Sequence, residues 1–149
     1  MKVNLEYESI DADGEKQLSK VIAIMEIRPE DYKLTFVEDL SGEGKTTRST
    51  MYLSPESMRI IRKGELNTDF MFGPALVHNT NYATPYGNLP VTITTKEFDF
   101  FASHPEISGG NMLNGGVLPL DYSLNVSTSY DIEMNGTKMP MSMRVNVTL

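Results

Sequence analysis

The chain has 149 residues, no cysteine and a formal net charge of −7. This length predicts a single domain, residues 1–149, that buries its core without disulfides. The excess of acidic residues argues against a nucleic-acid partner. We expect no membrane partner and a cytoplasmic location, because the sequence shows neither a signal peptide pattern nor an apolar run of spanning length.

Apolar and polar residues alternate with a period of two along much of the chain. In "VNLEYES", Val3, Leu5 and Tyr7 share one face. Near the far end, "MPMSMRVNVTL" places these residues on one face: Met139, Met141, Met143, Val145, Val147 and Leu149. Such alternation predicts strands with one buried face, and no window has convincing helical spacing. The chain is therefore predicted to be all-β.

Turn signals separate these runs at short intervals, and the Asn-Gly pair at 135–136 is the strongest hairpin signal among them. Short connections favour antiparallel neighbours, and about 8–10 such strands in one domain need a sandwich or a closed barrel. Three strands are predicted to be long, at about 16–28, 88–101 and 117–134. Long, bent strands favour a curved barrel wall.

The strand at 88–101 changes its apolar face part of the way along. The apolar residues are odd-numbered before "TTK" and even-numbered after it: Leu89, Val91 and Ile93, then Phe98 and Phe100. A change of parity within one strand predicts a β-bulge, here at Thr95 or Lys96.

The stretch "SGEGKTT", residues 41–47, looks like the end of a phosphate-binding loop. Such a loop needs a glycine at position 39, where this chain has Asp39, and a helix after the Gly-Lys-Thr. The following "TTRSTMYL" alternates as a strand does. We therefore interpret the stretch as a hairpin corner with Gly42 or Gly44 at positive φ.

Residues 58–96 carry three short motifs: Arg62-x-Gly64, Phe70-x-Phe72-Gly73, and Tyr82-x-Thr84-Pro85-Tyr86-Gly87. With its flanking strands, this block resembles the YwiB-like family of small bacterial proteins of unassigned function, over nearly the whole chain. The resemblance implies a calycin-like, or lipocalin-like, antiparallel β-barrel. It brings no known catalytic residue, cofactor or ligand. The loop at 103–116 departs from the family pattern and is expected to cover or reshape one barrel end.

Arg62 is the most suggestive single residue, and two interpretations of it remain open. It alternates with Ile60, so it is placed to point inward as an anion anchor in a cup with Tyr82, Thr84 and Tyr86. Alternatively, it is a surface arginine that pairs with a carboxylate or packs its stem on a tyrosine.

The remaining candidate residues are His78, which is next to the same block, and Tyr122. Tyr122 would share a barrel lining with the methionines, which serve either as flexible core filler or as an adaptable wall for a ligand. We expect no metal site, because the chain has only two histidines and no cysteine. No cofactor is expected.

Three functions remain in view at this point. The favoured one is a non-catalytic barrel that binds a small amphipathic or anionic ligand, which rests on fold analogy. The alternative is a solid barrel that forms a homodimer or larger homo-oligomer through its charge-poor second half. The last is a hydrolase that uses His78, although no nucleophile-elbow motif is present.

Overall fold

The computed structural model describes residues 1–39, 43–107 and 117–149. These residues form ten antiparallel strands and contain no helix. The strands are β1 Lys2–Ile10, β2 Lys16–Ile27, β3 Tyr32–Glu38, β4 Thr47–Leu53, β5 Met58–Gly64, β6 Thr68–Phe72, β7 Val77–Thr84, β8 Gly87–Ala102, β9 Ser123–Met134 and β10 Thr137–Thr148. The predicted all-β fold and strand number are confirmed.

The strands form one sheet in the order β6-β5-β4-β3-β2-β1-β10-β9-β8-β7, so the first and last strands pair with each other. The sheet curves until its two edge strands, β6 and β7, face one another. Among the described residues, a single backbone bridge, between Asn67 and Ala83, joins those edges. The result is a nearly closed, calycin-like barrel, because full curvature covers the apolar face of the sheet.

We call the two ends of the barrel the upper and the lower end. The upper end holds the hairpin connections from β1 to β2, β3 to β4, β5 to β6, β7 to β8 and β9 to β10. The lower end holds the other connections, including the segments 103–107 and 117–122, which we call the lower plug.

The hairpin at 135–136 and the bulge in β8 are both confirmed. Asn135 and Gly136 have positive φ values of 52° and 76°, which are the values that a tight two-residue hairpin turn requires. The register of β8 against β9 shifts between Thr95 and Glu97. The predicted strand at 117–134 is shorter than expected, because residues before Ser123 form a turn in which the Tyr122 amide donates to the carbonyl of Pro119.

The interpretation of "SGEGKTT" as a hairpin corner is supported by its described residues; Ser41 and Gly42 lie outside them. Gly44 has a φ of 79°, and its amide donates to the Asp39 carboxylate over 2.8 Å. Thr47 then begins β4 rather than a helix. The carboxylate therefore occupies the position at which a nucleotide phosphate would accept hydrogen bonds.

Candidate ligand-binding site

The lower end of the barrel is filled by its own chain. Ile107, Leu118 and Tyr122 of the lower plug are buried in the core. The Tyr32 hydroxyl donates to the carbonyl of Ile107 over 2.9 Å, which fixes the plug to β3. The loop expected to cover one barrel end does so through these described residues, whereas 108–116 lie outside them. A ligand in the barrel interior therefore has to sit towards the upper end.

The upper interior contains polar side chains in a wall that is otherwise apolar. Glu38, Ser49 and Thr68 have only 7%, 0% and 5% of their surface exposed. Arg62 shares their face, because β5 pairs it with Ser49 on one side and Thr68 on the other. We call Glu38, Ser49, Arg62 and Thr68 the polar cluster. It spans four neighbouring strands, β3 to β6.

Each member of the polar cluster has a buried polar atom without a hydrogen-bond partner among the described residues. These atoms are Glu38 Oε2, Ser49 Oγ, Arg62 Nε and Thr68 Oγ1. An unsatisfied buried donor or acceptor costs about 1–3 kcal/mol, so native proteins leave few of them. Four such unsatisfied atoms on adjacent strands therefore need a specific explanation.

The other buried threonines among the described residues do not share this condition. Thr47 Oγ1 accepts the Leu66 amide, Thr95 Oγ1 accepts the Gly73 amide, and Thr128 Oγ1 donates to the carbonyl of Glu97. These three hydroxyls stabilise the barrel wall because each forms a hydrogen bond with a backbone amide or carbonyl group. The hydroxyls of the polar cluster point to the interior without such a role.

The positive charge of Arg62 reaches two tyrosines on the interior face. Burial raises the pKa of Tyr130 to about 12, and the nearby Arg62 partly opposes that rise. Burial also raises the pKa of Tyr7, where Arg62 acts again in the opposite direction. An effect on tyrosines of both β1 and β9 places the guanidinium across the interior rather than on the outer surface. This favours the inward orientation, which was one of the two that the sequence left open.

Glu38 has one satisfied and one unsatisfied carboxylate oxygen. The Tyr7 hydroxyl donates a short hydrogen bond to Glu38 Oε1. Within the described part of the chain, no arginine or lysine forms an ion pair with Glu38, and no carboxylate forms one with Arg62. The upper interior therefore holds one cationic and one anionic side chain that do not neutralise each other by direct contact.

The structure brings Tyr82 towards Arg62 but leaves Tyr86 outside the expected cup. The Asn67–Ala83 bridge makes Thr68 and Tyr82 neighbours across the seam between β6 and β7, and Thr68 pairs with Arg62. Tyr86 is fully exposed at the tip of the β7–β8 hairpin, outside the interior. The side chain of Thr84 is not among those described. Ligand binding by these residues remains a prediction.

Tyr122 and His78 lie away from the polar cluster. Tyr122 is buried in the lower plug, where its hydroxyl lies close to that of Tyr32. His78 lies at the lower half of the seam, and its Nε2 is 3.0 Å from the carbonyl oxygen of Asp69. This contact joins β7 to β6 where the backbone ladder is missing, which gives His78 a structural role.

Glu38, Ser49 and Thr68 were missed by the sequence reasoning. The alternation of β3, β4 and β6 does place them on the apolar faces, because each lies two residues from an apolar residue of the core face: Phe36, Met51 and the partly buried Phe70. A polar residue at an inward position was therefore an available signal. Which of these positions meet in space depends on register, which the alternation does not give.

The backbone pairing of the barrel wall is also interrupted beside Glu38. Strands β2 and β3 pair only from Ile24 to Ile27, opposite Tyr32–Thr35, among the described residues. The first half of β2 pairs with β1 alone, so the two strands diverge towards the upper end. Glu38, the last residue of β3, lies at this divergence. The polar cluster is thus next to both the upper mouth and this interruption in the pairing of the wall.

Several clefts lie elsewhere on the surface. One of about 260 Å³ lies on the outer face between β1 and β10, and one of about 200 Å³ lies at the lower end beside Arg28 and Phe100. No group of three or more histidine, aspartate or glutamate side chains that could hold a metal ion occurs among the described residues. The same part of the chain has no helix long and apolar enough to cross a membrane.

Together, the fold and the interior cluster define a calycin-like β-barrel with a polar upper interior. The chain belongs to the family described as domain of unknown function DUF1934, whose model matches residues 3–143. It is similar in structure to the ywiB protein from Bacillus subtilis, with a TM-score of 0.72 and 13% sequence identity, over 99% of this chain and 90% of that one. The YwiB-like resemblance is thereby confirmed. No curated protein matches the chain.

Proposed function

We propose that this protein binds a small ligand with an anionic group in the upper interior of the barrel, and that it does no chemistry on that ligand. The observation that carries this proposal is a set of buried atoms that have no hydrogen-bond partner among the described residues: Arg62 Nε, Ser49 Oγ and Thr68 Oγ1. A guanidinium flanked by hydroxyls is a common arrangement for holding a carboxylate or phosphate.

The energetic cost of the polar cluster supports this role. Apolar residues of similar size at these positions would be neutral or stabilising, whereas unpaired polar groups are destabilising. A ligand that supplies the missing partners recovers that free energy on binding. Sites that are strained or unsatisfied without their ligand are a usual consequence of selection for function.

The rim of the upper interior can adapt to a ligand. Met139, Met141 and Tyr82 are only partly buried and pack against the core from this end. Methionine side chains are unbranched and flexible, so they can move aside and then cover an apolar portion of the ligand. The four unsatisfied atoms are themselves out of reach of solvent. Binding therefore requires such a movement.

The engagement of both histidines favours a non-catalytic role. His78 Nε2 is engaged with the Asp69 carbonyl, and His104 lies between two carboxylates at the lower end. Neither ring is placed beside Arg62 as a general base would need to be. If a hydrolytic activity were measured, its loss in His78→Ala would favour the hydrolase alternative over this proposal.

Self-association is a second candidate, and one observation favours it. Leu18, Ile22 and Ile24 project outward from β2 with 57%, 68% and 52% of their surface exposed. Exposed apolar groups of this kind are frequent in contacts between protein copies. They lie in the charge-rich first half of the chain, rather than in the charge-poor half where a contact was expected.

Native mass spectrometry of protein purified from its own host tests these proposals. We expect a stoichiometric small-molecule adduct in the wild type and in the control Arg48→Met, whose arginine lies on the outer face of β4. Arg62→Met should lose the adduct while its melting temperature stays at or above that of the wild type, because the change removes a partly buried charge that has no ion-pair partner among the described residues. An adduct that persists in Arg62→Met contradicts the proposal. A dimer mass without an adduct favours self-association.

A further inference from the structure

We infer that the ligand is a small zwitterion, a carboxylate with an ammonium group on a nearby carbon, held by Arg62 at one end and Glu38 at the other. This inference rests on the proposed function and specifies its ligand class. It assigns to Glu38 a role as the second anchor of the site.

The first argument is the burial and the incomplete hydrogen bonding of the Glu38 carboxylate. Only 7% of its surface is exposed, and Tyr7 satisfies only Oε1 of its carboxylate. Oε2 accepts no hydrogen bond from any described residue. An unpaired carboxylate oxygen such as Glu38 Oε2 weakens the binding of a simple anion, because it repels the negative charge of the ligand. A hydrogen-bond donor on the ligand, ideally a charged one, gives Oε2 its partner.

The geometry of the sheet is the second argument. Glu38 pairs with Thr47, which in turn pairs with Gly64, so Gly64 lies level with Glu38 two strands away. Arg62 lies two residues before Gly64 along β5. Strand spacing and rise put their Cα atoms about 12 Å apart. Both side chains extend into the interior from the same curved wall. At this separation, the carboxylate and the ammonium of one small molecule can contact both side chains once the molecule lies between them.

The balance of charge is the third argument. Arg62 and Glu38 together carry no net charge, and the barrel around them is largely apolar. A simple anion would add one uncompensated negative charge to this low-dielectric interior, which is costly. A zwitterion adds no net charge and gives each protein group an opposite charge. The apolar part of the ligand would then lie against the methionines of the upper rim.

Three test ligands of similar size separate the possible chemistries: L-2-aminobutyrate, butyrate and n-propylamine. Binding is followed by NMR shift changes in the full-length protein, with Glu38→Gln and Arg62→Met as variants. Glu26→Gln serves as the control, because Glu26 is exposed on the outer face of β2. We expect the amino acid to bind at least tenfold more tightly than butyrate to the wild type and to the control. Glu38→Gln should abolish that preference, and Arg62→Met should abolish binding of both acids.

The outcomes distinguish this inference from the proposed function. If butyrate binds as tightly as the amino acid, or if Glu38→Gln leaves the preference intact, the zwitterion is wrong although Arg62 can still bind an anion. If n-propylamine binds as tightly as the amino acid, the role of Arg62 is wrong and the proposed function fails as well. If neither acid produces shifts in residues around the polar cluster, the inference is overturned. An adduct in native mass spectrometry would then decide the proposed function separately.

Discussion

His104 is the residue that ties the two segments of the lower plug together. Its Nε2 is 2.9 Å from Asp121 and its Nδ1 is 3.2 Å from Glu106, while its ring stacks on Tyr122. The Asp121 carboxylate, and to a lesser extent Glu106, raises the pKa of His104 above its usual value of 6.5. The protonated imidazole can donate to both carboxylates at once, which the neutral ring cannot do.

This geometry predicts a pH-dependent contribution of His104 to stability. Because the folded-state pKa is raised, the stabilisation is fully present below pH 6.5 and is lost as the pH rises through the folded pKa. An NMR titration of the imidazole should show a midpoint above 6.5, and Asp121→Asn should lower it more than Glu106→Gln does. A wild-type midpoint at or below 6.5 would contradict this account.

Gly64 shows why a motif residue can matter without touching a ligand. Its φ is 134°, and a Cβ there would lie 2.5 Å from the backbone oxygen of Thr46. The close approach of β5 to the start of β4 therefore requires glycine. In the Arg62-x-Gly64 motif, the arginine belongs to the polar cluster, whereas the glycine allows the strand pairing that places it there.

Strand β8 is the element whose irregularity matters most for the core. Thr95 faces Tyr130 and Glu97 faces Ser129, so Lys96 is the extra residue of the bulge. Residues after the bulge then present Phe98 and Phe100 to the interior. Side chains along a strand alternate between the two faces with a period of two. The single extra residue therefore turns the even-numbered residues of the second half, instead of the odd-numbered ones, towards the interior.

Two single-residue deletions in β8 should therefore have opposite outcomes. Removing Lys96 leaves Thr95 inward, Glu97 outward and Phe98 inward, so the protein should fold, with its unfolding free energy lowered by about 1–3 kcal/mol through lost curvature and the lost contact with Asp131. Removing the exposed Asp99 turns Phe100 outward and should prevent folding. Circular dichroism and urea denaturation measure both variants, and similar behaviour of the two would refute this interpretation of the bulge.

The whole barrel depends on the pairing of its first and last strands. Asn4 pairs with Thr148, and the side-chain Nδ2 of Asn4 donates to the carbonyl of Leu149 over 3.0 Å. The strand pair with the fewest backbone hydrogen bonds is instead β6 and β7, although these two strands follow each other along the chain. The described residues join them by one backbone bridge and by the contact of His78 with Asp69.

A circular permutant tests this closure. A short linker should join residue 149 to residue 1, and new ends should be made between Pro74 and Ala75, both exposed in the β6–β7 connection. We expect this permutant to fold with a cooperative thermal transition, because no strand pairing is cut. A control opened inside β9, between Ser127 and Thr128, should not fold. Aggregation of the first permutant, or folding of the second, would show that closure is organised differently.

Local chemistry in the sequence was sufficient to predict much of the architecture. Alternation predicted the strands, Asn135-Gly136 predicted the tight hairpin, and the parity change in β8 predicted the bulge. Asp39 in place of a glycine was enough to exclude the phosphate loop, because a carboxylate at that position repels a phosphate. The strand predicted at 117–134 is correct from Ser123 onward but wrong for residues 117–122, because Pro119 and its turn overrode a pattern that was only locally apolar.

The candidate site was only partly predictable for a physical reason. The sequence singled out Arg62 and gave its face, because period-two alternation is a local property of the chain. The sequence could not show that Glu38, Ser49 and Thr68 converge near Arg62 or that Tyr86 is exposed, because those facts depend on strand register and barrel curvature. The sequence by itself determined which residues face inward. Only the tertiary structure decided which of them meet, since contacts between distant strands are set by the closure of the whole sheet.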